Sequence, residues 1–358
     1  MDKLRVAIIG QGRSGRNIHG HFFKSEDNTF CEVVAIVEED AFRRERAKEE
    51  FGCDVYASVE ELYGRTDIDV VTNASYSDAH YSITKALLEH GFNVISEKPF
   101  GRTYHECMDL ALTAKTHGVT VTAFHQSLYA PSFRNVKDYI ASGKLGDVLQ
   151  INLKYSKFAR RWDWQTLQAR VAGGLYNTGP HPVGQALEML DWDERVQVIY
   201  SSLRTVIDGG DSDDYAKLLL TAPGKPLVDI EVISSDAFAS DYVFKIYGSR
   251  GTLISTNEHF TVKYIDDPAK YPDHPVVRSF MADETGEPVY CSEKYTFIEE
   301  SGDIKGSSFD VGTCTFYRMM YATLKEGKPL QITPEHAALA ISIIERAHAE
   351  NPLPVKYL

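Results

Sequence analysis

Three groups of residues in this chain have the types and spacing that perform chemistry. The first is Gly10-Gln11-Gly12-Arg13-Ser14-Gly15, directly behind the apolar run Leu4–Ile9. Between a strand and a helix, each glycine of such a run has a physical purpose. Gly10 permits a tight turn, Gly12 lets the backbone approach a pyrophosphate, and Gly15 lets the helix pack on the sheet. The helix N-terminus then offers positive potential to the phosphates. Glu38 lies 23 residues after Gly15, at the end of the next apolar run. A carboxylate there accepts hydrogen bonds from an adenosine ribose and repels a 2′-phosphate, and Glu39 adds to that. NAD is the expected cofactor, with NADP the second candidate because Arg13, Arg43 and Arg44 lie within reach of a phosphate.

The second group is Glu97-Lys98-Pro99, at the end of a strand, and the third contains Asn177 and His181, four residues apart. Proton transfer at a reacting oxygen requires a base, and a developing oxyanion requires a cation. A histidine, whose ordinary pKa is about 6.5, suits the first role. A partly desolvated lysine suits the second. Pro180 and Pro182 suit the first turn of a helix, which sets Asn177 near its cap and His181 one turn further, with Asn177 expected to hold the imidazole tautomer. A helix N-terminus also favours neutral imidazole. Arg161, Trp162 and Trp164, in Phe158–Gln165, combine aromatic faces with charged groups, as a sugar site requires. Tyr129 is expected to line the same pocket, with His125 and Gln126 beside it. His19 and His21 suit packing or solvent better than a metal.

The elements that must position these groups alternate regularly at first. Strands are expected at Leu4–Ile9, Cys31–Val37, Val55-Tyr56, Ile68–Asn73, Asn93–Ser96 and Val119–Phe124. Helices are expected up to Lys24 and at Ala41–Phe51, Ser58–Leu62, His80–His90 and Tyr104–His117. Repeated β-α units require a parallel sheet covered on both faces. After about Gln150 the strands Leu149–Tyr155, Val196–Arg204, Tyr215–Leu220, Val228–Ile233 and Val243–Tyr247 follow one another with turns, as antiparallel strands do. Pro334–Ala349 reads as a final helix.

Four ordered motifs give the chain a resemblance to the Gfo/Idh/MocA oxidoreductases, relatives of glucose–fructose oxidoreductase and inositol dehydrogenase. They are Glu97-Lys98-Pro99 about 85 residues after the glycine loop, Val70–His80 with its Asn73-Ala74-Ser75, Ser142–Asp147, and Gly173-Gly174 through His181. The resemblance implies an α/β fold, with an N-terminal Rossmann doubly wound parallel sheet. A C-terminal α+β domain with a large open, mostly antiparallel sheet would follow. The boundary falls at residues 1–124 and 125–358. It implies Lys98, His181 and Asn177 as catalytic residues, a cis Lys98-Pro99 bond, and Ala74, Ser75, His80 and Glu97 beside the cofactor. It also implies a homodimer or homotetramer through the C-terminal sheet. Two departures stand out: Asn177 replaces the usual Asp, and Gly184 stands where an Asp is common. The activity implied is hydride transfer between NAD(P) and a sugar, inositol or related polyol. A redox-neutral glycoside-cleaving enzyme with tightly held NAD and a non-catalytic dinucleotide sensor are the alternatives.

Composition narrows the field further. With 358 residues, 43% hydrophobic and 25% charged, two packed domains are affordable. A net charge of −13 without a basic cluster argues against nucleic acid. No apolar window reaches membrane-spanning length, and Met1–Arg5 runs straight into a strand, so a cytoplasmic protein is expected. Five scattered cysteines, with no C-x-x-C pair, are read as buried filler rather than disulfides or a zinc site.

Overall fold

The computed structural model describes residues 2–238 and 241–357. The chain opens with β1 (Leu4–Ile9), a π-helical stretch Arg13–His19 running into α1 (Gly20–Lys24), and β2 (Cys31–Val37). It continues through α2 (Ala41–Phe51), β3 (Asp54–Tyr56), β4 (Val70–Asn73), α3 (His80–Glu89), β5 (Val94–Ser96), α4 (Tyr104–His117) and β6 (Val121–Ala123). These strands form one sheet in the order β3-β2-β1-β4-β5-β6, every neighbouring pair parallel. The order reverses between β1 and β4. Carboxyl strand ends at such a reversal leave a crevice for a ligand. Burial on both faces explains why β1 is an almost unbroken apolar run; β4 is buried throughout as well, but its Thr72 and Asn73 are polar and satisfied by Tyr317 and Thr84. The helix expected at Ser58–Leu62 is only a 3-10 turn, Val59–Leu62, whose Glu61 carboxylate accepts the amides of Ala57 and Ser58.

The second half contains α5 (Pro131–Ala141), β7 (Val148–Ser156), α6 (Gly174–Asn177), α7 (Pro180–Met189), β8 (Gln197–Arg204), β9 (Tyr215–Thr221) and β10 (Leu227–Ile233). After these come β11 (Phe244–Gly248), β12 (Gly251–Ser255), β13 (His259–Ile265), β14 (Phe297–Asp303), α8 (Thr313–Glu326) and α9 (Pro334–Glu350). Eight strands make a second sheet in the order β14-β13-β12-β11-β7-β10-β9-β8. Every pair is antiparallel except β7 with β10. That exception corrects the expectation of turns alone: α6 and α7 intervene between β7 and β8, and a parallel pair needs such a crossover. Burial alternates strictly along β9 and β10, so one face of this sheet meets the core and the other faces outward.

The last two helices return to the first sheet. On α8, the buried Tyr317 stacks on Phe22 at 5.1 Å and meets Phe23 at 4.8 Å. Just before α9, the Ile332 carbonyl accepts the Thr122 hydroxyl at 2.7 Å. All five cysteines are free thiols. Cys31 and Cys107 are buried as expected, but Cys291 is exposed because it lies in the sparsely packed excursion between β13 and β14. Among the described residues, no helix is long and apolar enough to cross a membrane.

Candidate active site and cofactor cradle

The three glycines of the first loop are required for two different reasons. Gly10 has φ +88°, and a Cβ there would lie 2.5 Å from the Ala74 carbonyl oxygen. A Cβ on Gly15 would lie 1.9 Å from the Gly10 oxygen. Both are therefore demanded by the protein's own backbone. A Cβ on Gly12 would meet nothing within 4 Å. This open space above the start of the Arg13–His19 helix fits a dinucleotide pyrophosphate, and the buried Gln11 Oε1 beside it has no partner among the described residues. Gly12→Ala is accordingly expected to keep the wild-type melting temperature while weakening NAD binding at least tenfold, read by calorimetry. A large loss of stability would show that Gly12 serves the fold instead.

Glu38 braces the same cradle. Its Oε2 accepts the Gln11 amide at 2.6 Å and its Oε1 the Asp40 amide at 3.0 Å. Arg44 donates to the carbonyls of Glu38 and Glu39, and Arg46 donates to the Gln11 carbonyl. Arg46 was not singled out in the sequence, although it shares a helix with Arg43 and Arg44. Arg13 is exposed on the loop, and Ser14 is half-buried beside it.

The Lys98-Pro99 bond is cis. The half-buried Lys98 Nζ donates to the Asn177 backbone carbonyl at 2.7 Å and reaches its Oδ1 at 3.5 Å. Burial lowers the Lys98 pKa; Glu97 opposes this, while Arg13 and Arg161 reinforce it. His181 lies beside Lys98. Burial, then the charges of Lys98 and His125, bring its pKa down to about 3. The imidazole is not held by Asn177, contrary to expectation. Asn177 ends α6 rather than capping α7, and its side-chain oxygen accepts Gln165 Nε2 at 3.1 Å. His181 Nδ1 instead meets Ser127 Oγ at 3.0 Å, which leaves Nε2 without a partner among the described residues.

Two residues expected at the cofactor turn into the protein. Glu97 is buried, with Oε1 at 3.2 Å from His19 Nε2 and Oε2 accepting the Lys98 amide at 3.1 Å. His80 is buried between the carbonyls of Pro99 at 2.8 Å and Ser75 at 3.2 Å, so it pins two loops together. Ala74 forms the wall behind Gly10, and Ser75 donates its hydroxyl to Asn73.

The aromatic segment divides in a similar way. Trp162 is 81% exposed. Trp164 is half-buried and meets Tyr76 edge-on at 5.1 Å. Arg161 is paired with Asp163 at 2.5 Å yet acts electrostatically on Lys98. Tyr129 is not brought to this site. Its hydroxyl donates to Gln331, and it lines a separate small cavity with Leu128, Arg134, Glu188, Trp192 and Ile332. Among the described residues, no group of three or more His, Cys, Asp or Glu is arranged to hold a metal.

Comparison with known proteins decides the family. Residues 4–125 match an oxidoreductase family described by an NAD-binding Rossmann fold, and residues 133–254 match the GFO/IDH/MocA C-terminal domain. The chain belongs to the Gfo/Idh/MocA oxidoreductase family. It is 25% identical to a scyllo-inositol 2-dehydrogenase (NADP(+)) of Bacillus subtilis, covering 97% of this chain and 93% of that relative. A 2,7-anhydro-N-acetylneuraminate hydratase of Mediterraneibacter gnavus is 29% identical over 49% of this chain and 47% of its own length. An oxidoreductase from Agrobacterium radiobacter, solved with NAD+, L-tartaric acid and magnesium, has the same fold (TM-score 0.77, 16% identity, 97% and 96% coverage).

Within this Gfo/Idh/MocA chain, the glycine pair has a local explanation that the sequence did not disclose. Gly173 has φ +111°, and a Cβ there would lie 2.4 Å from Asp213 Oδ1. Asp213 caps α6 by accepting the Leu175 amide at 2.7 Å, and so sets the carbonyl of Asn177 that receives Lys98. Burial pushes the Asp213 carboxyl up to about 7. Ser127 and Asp213 lacked a local signal, because they reach the site only through the fold, whereas Gln165 ends the aromatic segment already singled out. The position of Asn177 against Lys98 also sets the expected pH response of Asn177→Asp. A carboxylate in Asn177→Asp would stand against Lys98, not His181, and opposite charge favours the protonated lysine. The alkaline limb of the kcat/KM–pH profile is expected to move upward. No movement of that limb would remove Asn177 from the environment of Lys98.

Proposed function

We propose that this oxidoreductase transfers a hydride between NAD and a secondary alcohol of a sugar, inositol or related polyol. The observation that carries the reading is the convergence of Lys98 and His181 at the carboxyl end of β5, beside the open Gly12 cradle. A nicotinamide bound there supplies the hydride acceptor. For the alcohol, Lys98 Nζ donates a hydrogen bond to the reacting oxygen and stabilises its growing negative charge. His181 Nε2 receives the hydroxyl proton while Nδ1–H donates to Ser127 Oγ, which holds the required tautomer. The scyllo-inositol dehydrogenase relative supports a polyol substrate. The Glu38 carboxylate favours NAD over NADP, although that relative is named for NADP.

The test is purified protein with NAD or NADP against sugars and inositols, following absorbance near 340 nm. Expected is NADH formation with at least one polyol, faster with NAD than with NADP. A protein that binds neither dinucleotide would sink the reading. The hydratase relative favours a second reading, redox-neutral chemistry on a sugar with tightly held NAD. Co-purifying nicotinamide with product formation and no net NADH would establish it. We also propose a homodimer or homotetramer, supported by the outward face of the second sheet, where Tyr200 is 51% and Ile254 39% exposed. Light scattering that gives a monomer mass would refute this.

A further inference from the structure

His125 follows β6, the strand next to the one that carries Lys98. It is 2% exposed, and its buried Nδ1 has no hydrogen-bond partner among the described residues. The ring stands against Gly184, where a Cβ would come within 3.3 Å of its Nδ1 and 3.7 Å of its Cε1. Gly184 lies three residues after His181, hence on the same face of α7. The absence of a side chain at 184 therefore gives the second imidazole room beside the first. Segment 125–127 is fastened to α7 by Ser127, whose hydroxyl meets His181 Nδ1 and whose carbonyl accepts Gln185 Nε2 at 3.0 Å. Burial and then Lys98 lower His125 to about 4, so both imidazoles are neutral near pH 7, each with one donor and one acceptor. A purely structural role does not account for the choice of residue. An unpaired buried polar group costs about 1–3 kcal/mol, and phenylalanine would fill the same space without it.

We propose that His125 is a substrate-binding residue, taking a second hydroxyl adjacent to the one that meets Lys98 and His181. The substrate class is then a vicinal diol of a ring polyol or sugar, not an isolated secondary alcohol. This rests on the hydride-transfer reading for the first hydroxyl.

The test has a binding arm and a kinetic arm. Full-length protein carrying [13Cε1]-histidine and saturated with NAD is titrated with scyllo-inositol, myo-inositol, glucose and their monodeoxy counterparts. The His125 signal is assigned by its absence in His125→Phe, or in His125→Gln should the first variant fail to fold. The expected result is a shift of that signal with a vicinal diol and none with the matching deoxy compound. In parallel, the variant raises KM for the diol about 10- to 100-fold, as loss of one such hydrogen bond implies, and leaves KM for the deoxy compound unchanged. A His125 signal unmoved by every polyol, including any that is oxidised, overturns the proposal, as does an equal KM change for diol and deoxy compound. A diol-specific shift without any oxidation upholds the binding role of His125 and removes the hydride-transfer reading instead.

Discussion

Lys98→Met is expected to lower kcat about 10³-fold while NAD affinity and melting temperature stay close to wild type. The methionine keeps most of the aliphatic stem, so packing survives. What disappears is the ammonium held toward the site by the Asn177 carbonyl at 2.7 Å. Removing one preorganised donor from a water-poor site typically costs 10²–10³ in kcat, and a full positive charge belongs at the upper end. Stability should not suffer much. Burial already disfavours the charged lysine, as its lowered pKa shows, so removing the charge relieves a desolvation penalty. The measurement is kcat under saturating substrate, with nicotinamide binding followed by fluorescence on the same sample. A loss smaller than tenfold would mean that Lys98 only lines the site.

Glu97→Ala is expected to have the largest effect on the fold, lowering stability by about 3 kcal/mol, the range seen when one member of a buried charged pair is removed. Glu97 ends a buried chain of contacts. Its Oε1 faces His19 Nε2 at 3.2 Å, His19 Nδ1 faces the Tyr317 hydroxyl at 2.8 Å, and that hydroxyl meets Thr72 Oγ1 at 3.0 Å. Truncation strands polar atoms with no water to replace the lost partner. Burial alone would raise the Glu97 pKa, but the His19 hydrogen bond and the charges of His19 and Lys98 outweigh it, and the carboxyl falls to about 2. A carboxyl depressed in the folded state adds stability above its unfolded pKa, about 4.3. That contribution is lost as pH falls from there through about 2. Urea unfolding at pH 7 should therefore show the deficit in full, and at pH 3 the gap between wild type and variant should narrow. A gap that is constant with pH would mean that the charge of Glu97 contributes nothing.

The N-terminal sheet was legible because its signals are local. Alternating apolar runs and helical segments, each bounded by a glycine or proline, predict parallel β-α units without knowledge of distant contacts. Every strand boundary there agrees with the structure to within two residues. The strands β12 to β14 and the helices α5 and α8 were not anticipated. Burial alternates only loosely along β13 and β14, so period-2 patterning is weak there, whereas α5 and α8 do carry an apolar stripe at helical spacing.

By itself, the sequence determined the glycine loop, the acid at the end of β2, the Lys98-Pro99 motif and the histidine at the start of α7. These depend on backbone conformation or on chemistry that few residue types can perform. Only the tertiary structure decided how they are held. It gave Glu97 to His19 instead of the cofactor, Asn177 to Lys98 instead of His181, and Ser127 to His181. It also took Tyr129 away to Gln331 and set His125 against Gly184. Those pairings join residues from about 50 to about 200 positions apart. Hydrogen-bond partners at such separations follow from how the two sheets and the returning helices pack, which no local spacing encodes.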